Sequence, residues 1–510
     1  MALGHLLSAG VQAFLQPTVI LYTLLGVVAG LVIGAIPGFT ITMGVVLVLP
    51  LTFYMSPMEG LGTMVGVFVG GATGGLISGT LLGIPGTPSS VATTFDGFPM
   101  ARSGQPGRAL ALGNWSSAVA GLLGGVVLVV AAPALSLWAT RFGPWEYFSL
   151  IFFGLTVIAS LSGANLVKGL VAGLLGLLFA TVGYDPISAS PRFTFGFTEL
   201  NGGFDFLPVL IGMFAFSQLL EDLTAGEQRL ERLRVRDRRQ LSYSPLLALR
   251  ELWQSRVVLL WSTVVGLFIG VLPAAGGSIA NILAYDQAQK ISRRREVPFG
   301  QGNPDGIIAS EAANNSVAAG ALITMMAFGI PGDAVTAVML GALLIQGIQP
   351  GPLFIVNQPA LAGGIMVAYL VATVVTVFIF NLSLRYLASI ERVPKDVLVP
   401  AVLLLCGLGA YTLNNRVFNV WVVLLFGLLG FALKRAGFPL AAFVLGFILG
   451  PLAETNLRRA LMNQYSLLPF VTRPISLGLL VLAALSVVYV AYSRVAGRGL
   501  FREPLAVDEK

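Results

Sequence analysis

The stretch GIPG at Gly83–Gly86 occurs again at Gly329–Gly332, 246 residues further along the chain. Each copy interrupts a very apolar, small-residue stretch of the kind that crosses a membrane. A second pair, GAIP at Gly34–Pro37 and GVLP at Gly270–Pro273, is separated by 236 residues. Broken hydrophobic segments at matching places in two halves indicate the binding site of a secondary transporter. We therefore expect a duplicated membrane protein whose site lies at these breaks.

The composition is that of a membrane protein. Of 510 residues, 56% are hydrophobic and only 10% are charged, with a mean hydropathy of +0.86, whereas a soluble domain is about one quarter charged. Uncharged stretches such as 118–135 and 475–493 reach the ~18 residues that span a bilayer. The alternating segments of a membrane β-barrel are not seen. The sequence predicts an all-α polytopic membrane protein with about ten to twelve transmembrane helices.

Several kinds of chemistry are excluded by what the sequence lacks. Cys406 is the only cysteine and His5 the only histidine, so a disulfide framework, a histidine metal site and a Ser-His-Asp triad are not expected. The net charge of +7 does not indicate nucleic acid, because the basic residues collect in a few loops. There is no phosphate-binding GxxxxGK[ST] loop. We expect no cofactor, so the energy must come from an ion gradient or from another chain. No removable signal peptide is recognised.

The charge distribution divides the chain into four parts. Residues 1–220 form a first membrane repeat, and 221–256 form a charged cytoplasmic linker with eight arginines and six acidic residues. Residues 257–493 form a second membrane repeat, and 494–510 form a basic cytoplasmic tail. We expect a short solvated helix in the linker.

Loop charges indicate that the two repeats are inverted. The loop at 56–60 has no Lys or Arg, whereas the equivalent loop at 290–295 has four. After the second break the pattern is reversed: the first half has Arg102 and Arg108, and the second half has the uncharged stretch 347–358. By the positive-inside rule, equivalent loops then lie on opposite faces. The alternative is chance, because only a few charges decide it.

Hydroxyl side chains follow the first break. Five of the eight residues at 87–94 are Ser or Thr. Hydroxyls can line an anion or sodium site, but they also bond back to their own helix. An opened backbone at membrane depth is tolerated only inside protein or against a watery cavity, where its carbonyls and half-helix N-termini can bind ions. The glycines at every fourth position in 62–83 are better explained by close helix packing.

Polar side chains also lie before the second break. Glu311, Asn314 and Asn315 are close together at the start of an apolar stretch, where polar groups are costly without partners. A helix-capping cluster is the alternative. Asp333, directly after the break, is equally a cap or a coupling site. The candidate substrate- or ion-binding residues are Pro37, Thr40, Gly83, Pro85, Gly86, Thr87, Ser89, Ser90, Pro273, Gly276, Gly277, Ser278, Asn281, Glu311, Asn314, Asn315, Ser316, Gly329, Pro331, Gly332 and Asp333.

Three long motifs resemble the large membrane subunit of the tripartite tricarboxylate transporters, the TctA family. The first runs from Ile84 to Leu110 and includes DGFPMAR at Asp96–Arg102; the second runs from Phe299 to Pro352; the third is LGPLAE at Leu449–Glu454 with LRRAL at Leu457–Leu461. Together they cover most of the chain and are far more specific than a lone glycine motif.

The resemblance implies a permease subunit in the bacterial inner membrane that imports organic di- or tricarboxylates. It implies a small four-span TctB-like membrane subunit, a periplasmic TctC-like binding protein, and a sodium or proton gradient as the driving force. Asp333 stands where the family leads us to expect a small polar residue, and its charge would disfavour a trivalent anion. The alternatives are a stand-alone ion-coupled transporter or channel without a binding protein, and, with little support, an intramembrane enzyme.

Overall fold

The computed structural model describes residues 3–161, 166–185, 187–224, 241–273, 276–294, 296–387, 395–412 and 415–495. Over these residues the chain is almost entirely helical. The helices are α1 Leu3–Phe14, α2 Pro17–Ala35, α3 Ile41–Val48, α4 Pro57–Leu82, α5 Val91–Arg102, α6 Pro106–Ala139, α7 Pro144–Leu161, α8 Leu166–Ala180, α9 Phe206–Leu210, α10 Ser217–Thr224, α11 Pro245–Gln254, α12 Arg256–Val271, α13 Gly276–Ile291, α14 Pro304–Phe328, α15 Ala334–Ile345, α16 Pro352–Asn357, α17 Pro359–Leu387, α18 Lys395–Thr412, α19 Val417–Arg435, α20 Leu440–Asn463, α21 Leu468–Thr472 and α22 Pro474–Val495.

Shorter elements complete this description. Helices of the 3₁₀ type cover Leu49–Tyr54, Pro88–Ser90 and Thr198–Gly202, and a π-helix covers Ile211–Phe216 between α9 and α10. Two short strands, β1 Gly183–Tyr184 and β2 Pro191–Arg192, pair antiparallel with Gly183 opposite Arg192.

The predicted all-α polytopic class is confirmed. In the described residues, six helices are long and apolar enough to cross a membrane: α2, α4, α6, α17, α19 and α20. The pair α11 and α12, bent by 82°, raises the number to seven. Six shorter apolar helices are also present; the expected ten to twelve spans, which would need some of these to cross, stay a prediction.

Contacts divide the chain into two units. The first comprises Met1–Thr140 with Phe206–Phe431, and the second Arg141–Asp205 with Ala432–Lys510. Every candidate site residue lies in the first unit. This division follows packing rather than repetition, so the boundaries predicted at 220 and 257 stay predictions. Much of the predicted linker, 225–240, and most of the predicted tail, 496–510, lie outside the described residues. A short helix, α11, lies within the predicted linker, and its solvated, cytoplasmic position stays a prediction.

The first unit contains a repeat whose contacts recur at constant spacing. A Cβ atom on Gly34 would collide with the carbonyl oxygen of Gly71 in α4, and one on Gly270, 236 residues later, would collide with that of Val317 in α14, 246 residues after Gly71. Both glycines are required because the two backbones touch. The pair α2–α4 is therefore repeated by α12–α14, while the opposite orientation of the halves stays a prediction.

The ends of α4 and α14 are also equivalent. Each begins with proline in its first turn, after an N-cap at Ser56 or Asn303, because proline has no N–H group to leave unpaired there. Each ends at a left-handed glycine, Gly83 with φ 69° and Gly329 with φ 71°, a conformation that favours glycine. The GIPG stretches thus terminate the two long helices at matching points.

The second unit pairs α7 with α22 and α8 with α20. Ion pairs link its β1–β2 loop to α20: Arg458 contacts Asp185 at 2.7 Å, and Arg192 contacts Glu454 at 2.7 Å. Backbone N–H groups of Ser188 and Ile187 donate to Asp185 and, with Arg458, hold the pKa of its carboxyl below the usual range. Ion pairs therefore hold this loop against α20.

Candidate substrate and ion site

The two chain breaks have the same local structure. After the first, the Thr87 side chain accepts from the backbone N–H of Ser90, and the Ser90 hydroxyl accepts from the Thr87 N–H at 3.2 Å. After the second, Asp333 accepts from the Thr336 N–H at 2.8 Å and Thr336 accepts from the Asp333 N–H at 3.0 Å. These are capping boxes, 246 residues apart. Asp333 is confirmed as a cap, whereas its role in coupling stays a prediction.

Both breaks meet at the N-terminus of α13. A Cβ atom on Gly277 would lie 2.7 Å from Ser89 Cβ, in the first break, and 3.0 Å from Asn314 Oδ1. A Cβ on Gly276 would lie 4.0 Å from Asp333 Cβ, in the second break. Two adjacent glycines therefore contact segments from both halves, as expected for a site shared by two broken helices.

Asn281 fixes the first break against α13. Its side chain is fully buried and its Nδ2 donates to the Ser89 carbonyl oxygen, while its Oδ1 has no partner among the described residues. Thr87 and Ser89 hydroxyls lie 3.0 Å apart on the same segment. A buried polar atom without a partner is costly, so we expect a donor or a cation to bind beside this oxygen.

Asn314 joins the second half to α4. Its Nδ2 donates to the carbonyl oxygen of Ala72 at 2.9 Å. The next residue, Asn315, accepts from the Thr73 hydroxyl at 3.1 Å and donates to Ser117 at 2.7 Å. The capping cluster considered as the alternative is excluded, since both amides lie in the middle of α14 and bond to other helices.

Glu311 lies one turn before these amides and is fully buried. Its two carboxyl oxygens accept from Thr93 at 2.6 Å and from Ser117 at 3.0 Å. Thr93 belongs to α5 and Ser117 to α6, so the carboxyl connects two elements of the first half. Among the described residues Glu311 forms no ion pair.

Helix α14 accommodates these polar groups because protein surrounds it. All residues from Pro304 to Ala327 are buried, and α14 is not among the helices apolar enough to span lipid. Intramembrane polar residues are tolerated where they face protein or a cavity rather than lipid. The cluster therefore occupies the interior of the first unit.

A second polar cluster binds α5 to the loop before α14. Asp96 is buried, and its Oδ1 accepts from the backbone N–H groups of Gly300, Gly302 and Asn303 at 2.9, 2.9 and 2.7 Å, while Oδ2 accepts from the Tyr285 hydroxyl at 2.8 Å. An Asp-Gly pair such as Asp96–Gly97 is typical of a turn, but here both residues lie buried inside α5.

Other predicted residues have contacts of a structural kind. The Ser316 hydroxyl donates to its own helix at Ala312, Thr40 caps α3 by accepting from the Met43 N–H, and Gly86 and Gly332 are pressed against the carbonyl oxygens of Gly34 and Gly270. Described contacts do not bring Pro37, Thr40 or Pro273 to the α13 cluster, whereas Ser278 lies in the first turn of α13 itself. Their part in binding stays a prediction.

Sequence reasoning missed Ser117, Thr73 and Asp96. Ser117 had a usable signal, because Asn114, Ser116 and Ser117 interrupt an otherwise apolar helix. Thr73 lies among closely spaced glycines and has no comparable signal. For Asp96, the Asp-Gly pair indicated a turn, but the pair is buried within α5.

The family model described as the tripartite tricarboxylate transporter TctA family matches residues 20–445. The chain belongs to this family. It is 35% identical over 499 residues to an uncharacterised 52.8 kDa protein of Agrobacterium vitis in the TAR-I ttuC' 3' region, covering 94% of this chain and 95% of that protein. An uncharacterised protein in the TAR-II ttuC' 3' region of the same organism is 37% identical over 225 residues, covering 44% of this chain and 92% of that protein. No solved structure matches.

Membership of the TctA family confirms the resemblance and the transport class. The chain is a multi-pass membrane subunit of a tricarboxylate transporter, and the family implies a tripartite system with TctB and TctC partners. The match includes both chain breaks and every candidate site residue, all of which lie between positions 37 and 333.

Proposed function

We propose that the chain is the permease subunit of a binding-protein-dependent secondary transporter that imports organic di- and tricarboxylates across the bacterial inner membrane. A small four-span membrane subunit and a periplasmic binding protein complete the system, and a sodium or proton gradient drives it. The candidate site consists of the first break, the second break, the N-terminus of α13 and the amides of α14.

The convergence of helix N-termini carries this proposal. Helices α13 and α15 both begin at the cluster, because Gly276 and the cap Asp333 are neighbours there. N-terminal N–H groups and the helix dipole favour a carboxylate, and the Asn314 amide lies alongside. The side chains that meet here are hydroxyls, amides and acids rather than Lys or Arg, so backbone and amide donors bind the anion.

Reconstitution tests the proposal directly. The chain is incorporated into proteoliposomes with the four-span subunit, and uptake of labelled citrate and succinate is measured with a sodium gradient, a pH gradient, both or neither. We expect uptake only when the binding protein is added and a gradient is present. Uptake without the binding protein would favour the stand-alone transporter, and downhill flux indifferent to both gradients would favour a channel.

Substitution of Asn314 locates the site. Nδ2 of Asn314 uses one N–H on the Ala72 carbonyl oxygen, and the second N–H is the donor that we propose for the anion. Asn314→Ala removes it; a hydrogen bond to a charged group contributes roughly 1.5–3 kcal/mol, which corresponds to about a tenfold to hundredfold change in substrate affinity. The matched control is Asn456→Ala, because Asn456 in α20 only donates back to the Leu452 carbonyl oxygen at 2.8 Å. Equal affinity in both variants would show that Asn314 is structural.

A further inference from the structure

Glu311 is a buried acid, and no ion pair among the described residues offsets its charge. Its exposed fraction is 0%, both oxygens accept only from the Thr93 and Ser117 hydroxyls, and among the described residues it forms no ion pair. An ionised carboxylate so placed is strongly disfavoured, and taking up a proton is the simplest way to neutralise it. We propose that Glu311 is the proton-binding group that couples carboxylate import to the proton gradient; this rests on the proposed function.

The surrounding hydroxyls accommodate both forms of the carboxyl group. When Glu311 is neutral, its O–H donates to Thr93, Thr93 donates to Ser310 at 3.1 Å, and Ser310 donates to the Ile307 carbonyl oxygen at 3.1 Å. When Glu311 is ionised, the Thr93 hydroxyl turns and donates to it instead. Every hydrogen has an acceptor in both forms, so the proton can be gained or lost without movement of heavy atoms.

The same spacing disfavours a bound cation at this carboxyl. The oxygen of Thr93 lies 2.6 Å from Oε1, and that of Ser117 lies 3.0 Å from Oε2. These are hydrogen-bond lengths, and the Ser117 oxygen is already bonded by the Asn315 amide at 2.7 Å. A sodium ion would have to push these oxygens apart, whereas a proton fits the existing network.

Charge on Glu311 acts on an anion bound beside Asn314. The two residues are three positions apart on α14, about 4.5 Å along the helix axis, and an anion bonded to the amide lies about 3 Å further. Two unit charges about 8 Å apart, at an effective dielectric constant of about 20, change each other's binding by roughly 30-fold. Protonation removes the repulsion, so proton and carboxylate raise each other's affinity equally.

Other charged and titratable groups on the surrounding elements have partners of their own. Asp96 is held by the 300–303 loop, and Asp305 accepts from Ser255 and Ser292 at 2.5 and 2.6 Å. The remaining groups are Glu59 on α4, Arg102 on α5, Arg108 on α6, Arg256 on α12, Tyr285, Asp286 and Lys290 on α13, the α15 cap Asp333, and Tyr369 on α17, which donates to the Asn315 carbonyl oxygen at 3.1 Å.

The test uses Glu311→Gln, which imitates the neutral form, in proteoliposomes with the complete transporter and labelled citrate. We expect uptake driven by a pH gradient to fall at least tenfold, and citrate–citrate exchange, which needs no net proton movement, to lose its dependence on pH. The matched control is Glu59→Gln, because Glu59 lies at the start of α4, away from Glu311, and accepts from the Ser56 N–H at 2.8 Å and from Thr18. It should keep the pH dependence of the wild type.

A second measurement tests proton binding by Glu311 if Glu311→Gln does not fold. The wild-type complex in weak buffer with a pH dye should take up protons when citrate binds. Absence of this uptake, or wild-type import that follows a sodium gradient and ignores an imposed pH gradient, would overturn the role of Glu311 and leave carboxylate import standing. If the wild type neither imports nor exchanges citrate or succinate, the proposed function itself fails.

Discussion

Removal of the Asp96 carboxyl tests the junction between α5 and the loop at 300–303. Asp96→Ala leaves three buried backbone N–H groups and the Tyr285 hydroxyl without their acceptor. Each unpaired group costs about 1–3 kcal/mol; water entry and relaxation reduce the sum, and breaking a buried charged contact typically costs about 3–5 kcal/mol. At about 2 °C per kcal/mol, the midpoint of thermal unfolding should fall by roughly 6–10 °C.

The chain provides its own reporter for this measurement. Cys406 is the only cysteine and is 2% exposed, so a thiol-reactive fluorescent dye labels it only when α18 is uncovered. Purified chain is heated in detergent with the dye, and the midpoints of wild type and variants are compared. Asp96→Asn keeps one oxygen to accept from the three N–H groups, but it loses the charge and replaces the oxygen facing the Tyr285 hydroxyl by an NH2 group. Its shift should be about half that of Asp96→Ala.

Asp286→Ala is the matched control. Asp286 is an exposed acid that pairs with Lys290 four residues later at 2.6 Å, and such pairs contribute only about 0.3–0.5 kcal/mol. Its midpoint should stay within about 1 °C of wild type. The reasoning is refuted if Asp96→Ala and Asp286→Ala unfold at the same temperature.

Two further predictions follow from the repeat. Asp333→Thr places at the second cap the residue that Thr87 supplies at the first, so the unfolding midpoint measured with the dye should stay near that of wild type. Asp333→Ala should lower the free energy of unfolding by about 1 kcal/mol. Uptake of citrate relative to succinate should rise in Asp333→Thr, and an unchanged ratio would show that Asp333 does not face the substrate. Gly34→Ala and Gly270→Ala should both destabilise the chain because a Cβ meets backbone, whereas Gly478→Ala, with open space around it, should not; equal midpoints in all three would contradict the close packing.

The sequence was sufficient for the class of protein and for the place of the breaks. Hydropathy predicts the long helices because a helix in lipid must be apolar along most of its length. The matching GIPG stretches predict equivalent ends for α4 and α14 because a proline cannot continue the helix and a glycine tolerates the left-handed turn.

Partners across helices could not be predicted in the same way. Glu311 contacts Thr93 and Ser117 because α14 packs against α5 and α6. These partners are 218 and 194 residues away in the sequence. Local sequence shows that such an acid needs partners but not which ones. For Asp333, by contrast, the capping alternative required only a neighbour three residues away, and the structure contains it.

The repeat is inexact by ten residues. Corresponding residues of the two halves are 236 positions apart before α13 and 246 positions apart from α14 onward. The added length precedes α14, where the loop at 300–303 surrounds the Asp96 carboxylate. Position 342, which corresponds to Asp96 in the other half, is alanine. Two identical inverted halves would give the two facing conformations of a transporter equal free energy. With the halves inverted as predicted, we expect this insertion to end that equivalence and to give the molecule a preferred resting conformation, because only one half can make the contact with Asp96.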